Sequence, residues 1–127
     1  MRWEVLFYQT ARSESPIEDF LNELSEKARA KCIAYLKRLE DSGFQLPRSI
    51  IAKVRGEIWE LRPEWGGVEY RFFYVAIVER RIVVLHAIQK QSQKLREKDI
   101  ELAEKRYAEV LRRFKDETAP PVRPRAD

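Results

Sequence analysis

The chain of 127 residues holds one cysteine, one histidine and one methionine. A lone thiol, Cys32, has no internal partner for a disulfide, which suits a reducing cytoplasm. Apolar helical positions surround it, so it reads as a small core residue and not as a nucleophile. One histidine and one cysteine cannot assemble a common His/Cys metal site. Long apolar runs are missing as well: none approaches the roughly 20 residues needed to span a bilayer. The opening segment, MRWEVLFYQT, alternates like a strand and shows neither an apolar signal core nor a small-residue cleavage site. The expectation is therefore a cytoplasmic protein with no membrane partner.

Hydrophobic residues make up 44% of the chain and charged residues 36%. That is the composition of one globular domain with a modest core and a heavily charged surface. The formal net charge is +4 and the sequence pI about 9.3, a mild excess that admits an anionic partner without requiring one. Position says more than the total. Most acidic residues fall in the expected helices, often within a turn of a lysine or arginine. The segment from Arg48 to Lys94 has fewer acids and ends in a basic run.

Periodicity sets the element order. Arg2 to Tyr8 alternates as a strand. Ser15-Pro16-Ile17-Glu18 is a helix start with a serine N-cap, a proline in the first turn and a capping-box glutamate. Ile17, Phe20, Leu21 and Leu24 follow at helical spacing. Ser25 caps a second helix with Ala28, Cys32, Tyr35, Leu36 and Leu39 inward, and Gly43 ends it. From Ser49 the period changes to two, giving strands at Ile50–Val54, Ile58–Arg62, Val68–Val78 and Arg81–Gln89 with short connections, hence an antiparallel meander. A last helix from Glu97 to Phe114 carries Ile100, Ala103, Tyr107, Val110, Leu111 and Phe114 on one face. The expected fold is α+β: an N-terminal strand, a two-helix hairpin, a meander of three to four strands and a C-terminal helix. Residues 1–115 form the domain, and the proline-bearing tail 116–127 is expected to be disordered.

Three stretches add specificity to that order: Trp59-Glu60-Leu61-Arg62, Gly67-Val68-Glu69-Tyr70-Arg71-Phe72-Phe73-Tyr74, and Val84-Leu85-His86-Ala87-Ile88-Gln89-Lys90. With the helix beginning Ile100-Glu101-Leu102-Ala103, they resemble the RelE/ParE toxin superfamily, and within it the phage-derived HigB-like branch. The resemblance covers about residues 1 to 114. It implies the toxin of a type II toxin–antitoxin pair, a ribosome-dependent endonuclease that cuts messenger RNA without a metal or cofactor. In such a reaction the ribose 2′-hydroxyl attacks the adjacent phosphate. A base, an acid and cations around the crowded phosphate are needed.

The resemblance implies roles for particular residues. His86 is the acid or base, because imidazole exchanges protons near neutrality; the competing reading is a structural histidine at a sheet edge. Arg62 and Arg71 grip the phosphate with guanidinium forks, or else pair with Glu60 and Glu69 across the sheet. Lys90 joins them. Lys53, Arg55 and Lys94 are basic contacts to RNA backbone, and Tyr74 is a stacking surface for a base. Trp59 reads as core and Trp65 as exposed. Gln91 stands where many members of the branch carry a basic residue, and Ile58 and Glu60 replace the strand lysines of RelE, which points to histidine-centred chemistry. The implied partners are the ribosome, its message and a small helix-turn-helix antitoxin encoded by an adjacent gene. The alternative within the superfamily is a ParE-like protein that inhibits DNA gyrase without being an enzyme.

Overall fold

A computed structural model describes residues 2–91, 93–116 and 122–124, with side chains to Phe114. The elements run β1 (Glu4–Tyr8), α1 (Pro16–Asn22), α2 (Glu26–Ser42), a 3-10 turn (Gly43–Gln45), β2 (Ile51–Arg55), β3 (Ile58–Leu61), β4 (Glu64–Trp65), β5 (Val68–Ile77), β6 (Arg81–Gln89), α3 (Glu97–Asp116) and β7 (Val122–Pro124). The α+β order expected from periodicity is present. The strand order is β2-β3-β5-β6-β1-β7, with the small β4 paired to β5. β2 through β6 form the antiparallel meander, and β1 adds to β6 in parallel, which makes the sheet mixed. The tail expected to be disordered falls mostly outside the described residues; its described stretch, β7, runs antiparallel to β1.

Both faces of the sheet are covered, which explains why Val5, Leu6, Phe7 and Tyr8 in β1 are all buried. On one face lies the α1–α2 hairpin. Phe20 of α1 meets Phe72 edge-on at 5.7 Å, and Phe44 packs against Trp59 and Tyr74. On the other face lies α3. Arg106 donates to the Leu85 carbonyl (2.8 Å), Arg113 to the Gln9 carbonyl (2.6 Å), and the Tyr8 hydroxyl to Glu109 (2.7 Å). Each buried large apolar side chain is worth roughly 1.5–3 kcal/mol, so the hairpin face, with most of the aromatics, anchors the fold, while polar bonds hold α3 in register.

Local detail departs from expectation in four places. Ser25 caps α2 through Ala28 N–H, but Ser15 makes no side-chain cap, its hydroxyl being buried without a partner. Leu111 lies at the outer edge of α3 and is 48% exposed. A hairpin of β4 with β5 occupies what reads in sequence as a loop. Most consequential is a bulge in β6: Tyr74 pairs with Val84, yet Phe73 pairs with His86, so Leu85 is the extra residue. Simple alternation puts His86 on the face of Val84. The bulge instead turns Val84 to the hairpin with Tyr74 and His86 toward α3.

Gly43 ends α2 with φ +52° and ψ −128°, and a Cβ there would overlap the indole of Trp3. Both the backbone conformation and the close approach demand glycine. Gly43→Ala should destabilise the fold by about 2–4 kcal/mol, read as a lowered urea midpoint; an unchanged midpoint would mean that the Trp3 contact is not tight.

Candidate active site

α3 follows β6, and its first turn carries Asp99. A carboxylate is favoured there by the exposed amide groups of the helix start. Asp99 accepts a hydrogen bond from His86 Nε2 at 2.9 Å and from Arg96 Nε at 3.1 Å. Since a carboxylate only accepts, Nε2 carries the proton and Nδ1 is the acceptor of the neutral ring. The imidazole is also stacked on Phe73, with centroids 5.9 Å apart and planes 17° apart. Burial pushes the His86 pKa below its usual value, and the bond to Asp99 opposes that shift without reversing it. For Asp99 the balance is reversed: burial raises its pKa, but the bonds from His86 and Arg96 outweigh burial and hold the carboxyl below its usual range. At neutral pH the pair is neutral imidazole and carboxylate.

Two positions along on the neighbouring strand, on the same face as His86, is Arg71, a diagonal neighbour at roughly 7–8 Å in such a ladder. Arg71 is 2% exposed. Its Nη2 donates to Glu69 at 2.6 Å and its Nη1 to the Tyr70 carbonyl at 2.8 Å. Nε lies 3.1 Å from Glu60 Oε1, an ion pair without hydrogen-bond alignment. The two glutamates respond oppositely. Burial raises the pKa of Glu60 despite the adjacent Arg71, while the hydrogen bond from Arg71 lowers that of the exposed Glu69. Lys90 Nζ stands 4.0 Å from the same Glu69 oxygen.

Glu69 therefore sits at the centre of a cation cluster, and two hollows meet at it. One, of about 250 Å³, is lined by Ser49, Arg62, Glu64, Glu69 and Arg71. The other, of about 320 Å³, is lined by Glu69, Lys90, Gln91 and Gln93. His86 lines neither; its side chain is 16% exposed. Arg62 makes one long hydrogen bond, 3.5 Å to the Arg48 carbonyl.

Of the residues singled out in the sequence, His86, Arg62, Arg71 and Lys90 are brought to one end of the α3 face. Arg55 shares that face but is committed to Glu97 and Glu104 of α3, each at 2.8 Å. Lys94 lies exposed in the connection to α3. One expectation needs correcting. Tyr74 is fully buried against Phe44, so it offers no surface for a base. Lys53 is exposed and pairs with Trp59 on the hairpin side of the sheet, opposite His86. Pairing of Arg71 with Glu60 and Glu69, the structural alternative read from sequence, is present, though in the core and not at the surface. Asp99 was not legible: thirteen residues separate it from His86, and an acid in a first helical turn carries no other signal. Among the described residues, no group of three His, Cys, Asp or Glu gathers as a metal ligand set, and no helix is long and apolar enough to cross a membrane.

A small α+β domain with a histidine–aspartate pair beside buried and exposed cations is thus the class of protein defined here. The family model described as phage derived protein Gp49-like (DUF891) matches residues 19–108, well over half of the chain. The chain belongs to the Gp49-like family. No curated protein matches it.

Because the chain has a single histidine, its imidazole resonances are unambiguous. An NMR titration should place His86 below the ordinary value of about 6.5. Asp99→Asn should move it lower still, since the charge on Asp99 favours the imidazolium. A midpoint above 6.5 in the wild type, or an upward move in the variant, would contradict the geometry.

Proposed function

We propose that the protein is the toxin of a type II toxin–antitoxin pair, a RelE/HigB-like endoribonuclease that cuts messenger RNA on the ribosome. The observation that carries this reading is the placement of a neutral, Asp99-held His86 on the same face as Arg71, Arg62 and Lys90. His86 Nδ1 takes the proton from the 2′-hydroxyl as its oxygen attacks phosphorus. The P–O5′ bond breaks, a 2′,3′-cyclic phosphate forms, and the departing 5′-oxygen takes a proton from Lys90. Arg71 and Arg62 meet the charge on the crowded phosphate, which takes the place that the Glu69 carboxylate holds in the free protein. Asp99 keeps the imidazole in the tautomer that can accept. No cofactor is required. Activity is restrained by a small antitoxin, a helix-turn-helix protein encoded by an adjacent gene, and the setting is the cytoplasm.

Depressed titration of His86 has a direction for the rate. A base works only when neutral, so activity should hold as pH falls through 6.5 and drop only below the lowered pKa. The cellular test is induced expression with 5′-end mapping of messages. Wild type should arrest growth with cuts inside translated codons, and His86→Ala should lose about 10²–10⁴-fold in cleavage. Arrest without cuts would point to gyrase inhibition of the ParE kind and end the nuclease reading. Cuts undiminished in His86→Ala would end the assignment of the base.

A further inference from the structure

The exposed face of α2 is not used by the chemistry above, and it lies on the other side of the sheet from His86. Lys27, Lys31, Lys37 and Arg38 all stand exposed along it. Among the described residues none of the four has a carboxylate partner. Tyr35, half-buried, has Lys31 Nζ 5.8 Å and the Arg38 guanidinium 5.7 Å from its ring centre. Of the acids of α2, Glu26 adjoins Lys27 in the first turn, while Asp41, one turn beyond Lys37 and Arg38, binds Arg2, as does Glu40. The separation from Lys27 to Arg38 corresponds to about 16 Å of helix, enough to face several consecutive phosphates.

We propose that this face of α2 is a docking surface for the phosphate backbone of folded RNA, separate from the strand that is cut. Unpaired cations spaced along a helix neutralise phosphates and release counterions. A stable protein interface or an inserted amphipathic helix would require exposed apolar anchors. The exposed large hydrophobics of the described chain are Trp65, Val78 and Leu111. None lies on α2, where Ala30 and Ala34 are the exposed apolar residues. The surface carries charge and one aromatic ring, the chemistry of a nucleic-acid backbone contact. The proposal extends the functional reading from the RNA that is cut to the RNA that holds the protein in place. Its test needs no cleavage, so the two fail separately.

The experiment is fluorescence anisotropy of the full chain with an RNA hairpin whose stem has about 16 base pairs, across a salt series. The variants are Lys27→Gln/Lys31→Gln/Lys37→Gln/Arg38→Gln and, for the opposite face, the exposed α3 pair Lys105→Gln/Arg112→Gln, each checked for folding by circular dichroism. The wild type should bind the stem. The α2 variant should lose more than about 10-fold in affinity, and its log–log salt slope should flatten by about 3, at nearly 0.9 per phosphate contact released. The opposite-face variant should keep both. An α2 variant with unchanged affinity and slope, or a wild type that does not bind the stem, overturns the proposal. So does an α2 variant that loses only binding to phosphatidylserine vesicles, which would assign the face to a membrane.

Discussion

One hydrogen bond, from His86 Nε2 to Asp99 Oδ1, connects the sheet to the start of α3, and the arrangement of the site follows from it. The bulge at Leu85 turns His86 toward the helix, and the Leu85 carbonyl exposed by that irregularity is satisfied by Arg106 from the same helix. The register of α3 and the orientation of the imidazole are thus set together. Phe73 beneath the ring restricts it further. A neutral imidazole with one nitrogen occupied and the other able to accept is what these contacts produce.

The cations beside it are held by a different balance. A buried guanidinium is costly unless it is paired and hydrogen-bonded, and Arg71 has hydrogen bonds to Glu69 and the Tyr70 carbonyl and an ion pair with Glu60. Glu60, in the core, is fixed structure. Glu69 is nearly half exposed and faces Arg71 and Lys90, so it is the anion that a phosphate would displace at least cost. Arg71 is therefore not a free surface arginine awaiting a ligand. It is a charge kept in position by an internal carboxylate, at the meeting point of two hollows.

The element order was legible because the hydrophobic period switches cleanly from helical to alternating near Ser49, with turn residues between strands. Ala28, Cys32, Leu36 and Leu39 on α2 read correctly from spacing alone, whereas Tyr35 is half-buried beneath Lys31 and Arg38. Alternation failed at His86, because a bulge changes facing without any mark in composition. It failed for Tyr74 because an aromatic on a central strand looks the same whether its outer side is open or covered by a helix hairpin. Asp99 was invisible because its partner is distant in sequence and comes from another element. The basic residues after β6 and on β2 looked equivalent in sequence, yet the sheet puts Lys53 and Lys90 on opposite faces.

The central claim is that this face of the sheet positions a ribose 2′-hydroxyl for attack on its own phosphate. Ribosomes programmed with a message carrying one 2′-deoxynucleotide at the mapped cleavage position, compared with the all-ribose message, test that claim most directly. The account predicts a cut with a 2′,3′-cyclic phosphate end in the ribose message and none at the deoxy position. Cleavage of the deoxy message at that position, or no cleavage of either, would contradict it.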